Sequence, residues 1–248
     1  MANERLATGI AGLDKMLNGG LIAGSAALVR GAAGTGKTTL GFHYLLHGAQ
    51  QGEPGLLVSF EEFPKSLYRD ADSLGWDLRA WEAKGLLHIL FTSPDVFLAS
   101  LTGNDGPVTQ IVRTHNIQRV AVDTLTHFPR LTSDSHELRG MYNTAINGLK
   151  REGVTPMLLG EELHSDYTAS EKGRLSFIVD CILMLRYLEI ESAIKRAILV
   201  LKMRSSAHDR AIHTYTIGTG GITVGEALEG RTGLLSGLIR RSLVSTVE

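Results

Sequence analysis

The run Gly31-Ala32-Ala33-Gly34-Thr35-Gly36-Lys37-Thr38, extended by Thr39, carries the residue types that a nucleotide phosphate requires. It fits the pattern of a glycine, four residues, then Gly-Lys-Thr at every fixed position. Glycines let the backbone turn tightly, so that several N–H groups converge on one phosphate. Lys37 brings a positive charge toward the β- and γ-oxygens, and the Thr38 hydroxyl can ligate Mg²⁺. The implied chemistry is binding of ATP with Mg²⁺. A glycine-rich turn that binds nothing is the plain alternative, and the flanking residues argue against it. Residues 26–30 form an apolar run suited to a buried strand, and residues 39–51 have a helical pattern. The positive end of that helix faces the phosphates.

Further carboxylates stand at the ends of other apolar runs. Asp123 closes Val120-Ala121-Val122. At the carboxyl edge of a parallel sheet, where α/β folds bind ligands, it can hold Mg²⁺ beside Thr38. An Asp that only caps the next turn is the alternative, and coupling to the phosphate loop favours the metal. Glu61 and Glu62 follow the run 56–60 at the same edge. Hydrolysis needs a group that orients or deprotonates a water in line with the γ-phosphate, and either glutamate can do so. A solvated acidic turn before Pro64 is equally compatible with their position alone. Glu161 and Glu162 end the run 156–160, as candidates for sensing the γ-phosphate or for ion pairing with loop cations. Lys195, Arg196, Lys202 and Arg204 make residues 195–204 basic. Lys202 and Arg204 are two apart and point to one face of a strand. They suit either charge stabilisation on a transferred phosphoryl group, often from a neighbouring subunit, or a solvated face paired with Glu189 and Glu191.

Positioning these groups takes alternating strands and helices. Short apolar runs at 56–60, 86–90, 119–123 and 156–160 have the continuous hydrophobicity of strands buried on both faces. Helical patterns cover 64–74, 94–101, 108–115 and 135–151. The alternation predicts an α/β fold with a mostly parallel sheet flanked by helices. The last third changes character. Residues 179–188, 193–203, 212–217 and 222–224 read as strands of an antiparallel C-terminal extension. One domain over 1–225 is the economical division. The tail at 226–248 is open between a strand pair, an amphipathic segment and partial disorder, and Arg240-Arg241 can dock on a partner or simply be solvated.

The chain has 248 residues, 43% hydrophobic and 21% charged, with 25 Lys+Arg against 26 Asp+Glu. Its net charge of −1 provides no global field to draw in nucleic acid. The single Cys181 excludes an internal disulfide and lies in an apolar run, as a small core side chain would. No apolar stretch reaches the ~20 residues of a membrane span, and the N-terminus lacks a signal-like core. These features predict a cytoplasmic protein with no membrane association.

Several separated segments together resemble the KaiC branch of the RecA-like P-loop ATPases, over roughly residues 5 to 225. They are the opening Thr8-Gly9-Ile10-Ala11-Gly12-Leu13-Asp14 with Gly19-Gly20-Leu21, the phosphate loop, and Val58-Ser59-Phe60-Glu61-Glu62 followed by Gly75-Trp76-Asp77. Val120-Ala121-Val122-Asp123-Thr124-Leu125-Thr126 resembles the branch's Walker B segment, and Leu201-Lys202-Met203-Arg204 with His208 its Lys-x-Arg…His segment. The resemblance implies a RecA-like core, with Glu61 and Glu62 as the catalytic pair. It implies rings, usually hexameric, with ATP at the interfaces and with Lys202, Arg204 and His208 reaching the adjacent subunit's nucleotide. Clock members of the branch carry two such domains in tandem and are phosphorylated on a Ser-Thr pair. Here Ser176 is followed by Phe177, which argues against that modification.

Three functions compete. The favoured one is a slow, ring-forming signalling or regulatory ATPase that acts on a protein partner. The second is a RecA-like recombination or mediator ATPase that binds single-stranded DNA. Its channel loops would be residues 126–137 and 164–174, with Phe128 and Tyr167 as stacking candidates, yet their charges nearly cancel. The third is a nucleotide-binding module without turnover, against which Lys37, Glu61 and Glu62 argue.

Overall fold

A computed structural model of the chain describes residues 4–103, 106–161, 172–190, 192–229, 231–232 and 240–241. In chain order the elements begin with β1 (Arg5–Leu6), α1 (Ala11–Met16), β2 (Leu21–Ile22), β3 (Ala27–Gly31) and α2 (Lys37–Gln50). They continue with β4 (Gly55–Ser59), α3 (Pro64–Ser73), α4 (Leu78–Ala83), β5 (Leu87–Phe91), α5 (Pro94–Thr102) and α6 (Pro107–Thr114). Then come β6 (Arg119–Asp123), a 3-10 turn at Leu125–Arg130, α7 (Ser135–Arg151), β7 (Thr155–Glu161) and α8 (Lys172–Ile178). The chain ends with β8 (Cys181–Ile190), β9 (Ala193–Met203), β10 (His213–Gly218), β11 (Gly221–Ala227) and the short pair β12 (Arg231–Thr232) and β13 (Arg240–Arg241).

Nine strands make the main sheet, in the order β11-β10-β9-β8-β3-β7-β6-β4-β5. The stretch from β8 to β5 is parallel, and β9, β10 and β11 extend it antiparallel. This is the mostly parallel α/β arrangement with an antiparallel extension that the alternation of runs predicted, and it agrees with the RecA-like core that the resemblance implied. Period-two packing explains why the strands are apolar throughout. Val29, Leu57, Ala121 and Leu159 face one core with Leu13, Leu40 and Leu67 of α1, α2 and α3. Leu28, Leu56, Val122 and Leu158 face the other, with Phe97, Val112 and Ile146 of α5, α6 and α7.

Helix starts follow local chemistry. Pro64, Pro94 and Pro107 open α3, α5 and α6, where a missing N–H costs nothing. Asp134 caps α7 by accepting from the His136 and Glu137 amides. The Asp14 carboxylate accepts from the Thr8 amide and hydroxyl at 2.6 and 2.7 Å, so the opening motif is a local clasp.

Some boundaries differ from expectation. The phosphate-loop helix begins at Lys37 rather than Thr39, because Gly36, at φ 91°, serves as its N-cap. Helix α4 was not anticipated; Asp77 caps it through the Ala80 amide. The apolar run around Cys181 divides, with Phe177 and Ile178 ending α8 and Cys181 opening β8. Strand β11 reaches Ala227. Cys181 is buried as expected. No described helix is long and apolar enough to cross a membrane.

Candidate functional site

The phosphate loop leaves the carboxyl end of β3 and enters α2. In register, Gly31 lies beside Glu161 of β7 and Leu185 of β8. Two glycines in the loop take left-handed conformations, Gly34 at φ 75° and Gly36 at φ 91°. A side chain at either would also collide. A Cβ on Gly34 would lie 2.8 Å from the Tyr187 hydroxyl, and one on Gly36 would lie 2.4 Å from Ile217 Cδ1. The loop's shape is further held by the buried Thr35, whose hydroxyl donates to the Ala32 carbonyl at 2.8 Å. The Tyr215 hydroxyl of β10 donates to the Thr35 carbonyl, so the antiparallel extension braces the loop from outside.

Strand β7 lies between β3 and β6, so Asp123 ends two strands away from the loop it was expected to serve. Helix α2 closes that gap by crossing the sheet. Gly41 permits the approach: a Cβ there would already be 3.3 Å from Leu159 Cδ1. As a result Thr38 Oγ1 donates to Asp123 Oδ2 at 2.6 Å. Lys37 Nζ donates to the loop's own carbonyls, Gly31 at 2.9 Å and Ala32 at 3.0 Å. Burial lowers the Lys37 pKa, opposed by Glu161 and Asp123. Burial raises the Asp123 pKa, opposed by the Thr38 hydrogen bond and by Lys37. A loop with two left-handed glycines, a lysine on replaceable carbonyls, and a hydroxyl–carboxylate pair fit a magnesium-bound nucleoside triphosphate.

Glu61 and Glu62 follow β4 at the same edge. Ser59, on the last residue of β4, accepts from the Glu62 amide at 3.1 Å and donates to its carbonyl at 2.8 Å. This fixes the backbone that carries the pair. Partial burial raises the Glu62 pKa, and Asp70, Asp123 and Glu61 add to the shift. Glu61 accepts from His127 Nε2 at 3.2 Å. The Glu161 amide donates to Thr126 Oγ1 at 3.0 Å. Glu162 lies outside the described residues.

The basic segment divides by place. Arg196 is paired in register with Tyr187 near the loop, and its guanidinium approaches the Gly34 carbonyl at 3.5 Å. Lys202 and Arg204 lie at the other end of β9, where Met203 pairs with Cys181 and Cys181 with Ala27. That is the start of β3, ~13 Å of strand from Gly31. Both side chains do point the same way, onto the end of α8. Lys202 Nζ donates to the Ser176 and Val179 carbonyls at 2.5 and 2.8 Å. Arg204 donates to the Phe177 carbonyl at 2.5 Å and lies 3.6 Å from Asp180. They satisfy carbonyls that a helix end leaves unpaired. Neither pairs with Glu189, one of the two carboxylates of the alternative, and Glu191 lies outside the described residues. His208 is half-buried in the connection from β9 to β10.

One expected residue is misplaced for its suggested role. Phe128 is fully buried against Phe60, Phe97 and Tyr142 and cannot stack on a base. A large aromatic in a short turn gains more from the core than from solvent. Tyr167 lies outside the described residues. Sequence reasoning missed Ser59, His127 and Tyr215. Only Tyr215 carried a signal, the period-two pattern of β10, and that does not say what the ring meets.

Comparison with known proteins follows this geometry. A family model described as "ATPase: KaiC" matches residues 6–229. A protein named circadian clock oscillator protein KaiC, from a Picosynechococcus species, is 34% identical over 246 residues, covering 95% of this chain and 45% of that protein. Proteins of the same name from Prochlorococcus marinus and Thermostichus vulcanus are 33% identical over 231 residues and 34% over 246. They are covered to 46% and 45% of their length. The chain thus spans about half the length of these relatives.

Proposed function

The chain belongs to the KaiC family of ATPases, and from that premise we propose that it is a slow, Mg²⁺-dependent ATP phosphohydrolase working as a ring, hexameric by resemblance. The observation that carries this reading is the Thr38–Asp123 bond of 2.6 Å beside Lys37. It joins the two halves of a nucleotide site that lie far apart in sequence. Residues 31–39 would hold the phosphates through loop amides, with Lys37 exchanging its two carbonyl partners for β- and γ-oxygens. Mg²⁺ held by Thr38 and Asp123 would neutralise charge on those phosphates. The Glu61–Glu62 pair accepts the proton of the attacking water as its oxygen bonds to phosphorus and the bond to the ADP oxygen breaks. The raised pKa of Glu62 suits a base.

The trans assignment of Lys202, Arg204 and His208 is supported by the opposite-edge placement of the first two. A chain's own phosphate loop is out of their reach, as a role on a neighbouring subunit's nucleotide would require. A protein partner that reads the ring's state is the favoured target, in the cytoplasm. The single-stranded DNA reading loses one of its two stacking candidates with the burial of Phe128.

The test is the rate of ATP hydrolysis by the purified protein, with and without Mg²⁺ and single-stranded DNA. Turnover that requires Mg²⁺ and ignores DNA is expected. Lys37→Ala should weaken nucleotide binding by at least about a hundredfold, because a charge-assisted anchor is lost. Unchanged affinity would remove the phosphate-loop assignment, and strong stimulation by DNA would restore the mediator reading.

A further inference from the structure

The 3-10 turn after Asp123 carries a side chain that the phosphate chemistry does not require and that touches the candidate catalytic pair. We infer that His127, backed by Arg130, is a positioning residue for Glu61. The inference rests on the reading of Glu61 as a carboxylate that faces the attacking water.

Three observations support it. First, the His127 ring bridges two partners, with Nε2 3.2 Å from Glu61 Oε2 and Nδ1 3.3 Å from Arg130 Nη1. A guanidinium can only donate. Arg130 therefore makes Nδ1 the acceptor and leaves the ring proton on Nε2, pointing at the Glu61 carboxylate. Second, the two ends of the bridge differ in mobility. Glu61 is 63% exposed and has no other side-chain hydrogen-bond partner among the described residues, whereas His127 is 14% exposed. The ring packs edge-on to Phe60, the residue before Glu61, with centroids 6.4 Å apart. The fixed side chain thus orders the free one. Third, the turn is itself anchored to the site. It follows Asp123, Phe60 donates its amide to the Asp123 carbonyl at 2.9 Å, and Thr126 accepts from the Glu161 amide. Movement of the turn would carry His127 with it, so the Glu61 geometry is tied to both neighbouring strand ends.

Without His127, a glutamate this exposed samples several rotamers, and only some of them face the phosphate. The chemical step then slows while nucleotide binding, which is made elsewhere, stays intact.

The experiment measures kcat and KM for ATP with the full chain and the variants His127→Ala, His127→Gln, Glu61→Gln and the double variant His127→Ala/Glu61→Gln. His127→Ala should lower kcat about tenfold with KM changed less than about twofold. His127→Gln keeps a neutral donor for Glu61 and should recover most of that loss. In the Glu61→Gln background, His127→Ala should cost nothing further, as expected for two residues acting as one unit. An unchanged kcat in His127→Ala, a glutamine variant as slow as the alanine one, or a full additional loss in the double variant would each overturn the inference. If Glu61→Gln hydrolyses normally, the underlying reading of Glu61 fails. If it is slow while His127→Ala is normal, only the positioning role fails. Should His127→Ala not fold, the exposed Arg130→Met decides without disturbing the packed ring. A kcat lowered about twofold or more supports the bridge, and an unchanged kcat refutes it.

Discussion

Asp123 shows what the site costs the fold. Its carboxyl is largely buried, and burial keeps it protonated to a higher pH than in the unfolded chain. The folded state therefore binds more protons across that interval. Stability falls as pH rises from the usual carboxylate range through the raised value, above which the whole penalty is present. Asp123→Asn removes the charge but keeps an acceptor for Thr38. The nucleotide-free variant should melt a few degrees higher than the parent at pH 7, with the gap closing in acid and Mg²⁺-dependent hydrolysis lost. A lower melting temperature at pH 7 would mean that attraction to Lys37 outweighs desolvation. Cys181 gives a second test at this scale. Burial pushes its thiol up to about 12. At pH 8 the folded protein should leave a thiol reagent unreacted, and one thiol should titrate on denaturation.

At the scale of elements, strand β9 does two jobs at its two ends. Near β3's carboxyl end it brings Arg196 beside the phosphate loop, and at the other end it sends Lys202 and Arg204 onto the last turn of α8. A cation on a helix carboxyl end contributes about 0.5–1 kcal/mol. Arg204→Ala should lower stability by about that amount, read by chemical denaturation, and leave the sheet intact. On the trans reading the same variant should also slow hydrolysis in the assembled state by more than this small loss explains. A variant that assembles and hydrolyses at the parent rate would limit Arg204 to the helix cap. The hairpin β10–β11 matters in a similar way, since Tyr215 and Ile217 close over the loop that β3 presents.

Across the whole molecule, one buried cation joins distant parts of the chain. Arg119 opens β6 with its side chain 2% exposed, pairs with Glu53, and donates to the Ala7 and Tyr44 carbonyls at 2.6 and 3.1 Å. The N-terminal segment, the phosphate-loop helix and the sheet meet at this guanidinium. Glu53→Ala would leave a buried charge without its counter-ion and should cost about 3 kcal/mol in urea denaturation. A loss below about 1 kcal/mol would mean that the carbonyls and the Tyr44 ring, 4.8 Å from the guanidinium carbon, suffice.

Much of the architecture was legible in the residues. The phosphate loop was readable because its glycines, Lys37 and Thr38 are local in sequence and each type has a backbone or chemical reason. Strands β3, β4, β6 and β7 were readable because burial on both faces demands continuous apolar runs, and helix α7 because its amphipathic period is long. The start of α2 was harder, because Gly36 sets it through its backbone, and α8 was not anticipated at all, its end being held by contacts to the carbonyls of Phe177 and Val179 rather than by composition. What tertiary structure decided is proximity between segments far apart in the chain. The order of strands puts β7 between β3 and β6, and only the crossing of α2 brings Thr38 to Asp123. The antiparallel turn of β9 separates Arg196 from Lys202, although they are six positions apart (202 − 196). Packing buries Phe128 and leaves His127 facing Glu61. Residue types determine which chemistry is possible, because it depends on groups each residue carries with it. Which groups meet depends on how the layers stack, and that is a property of the folded whole.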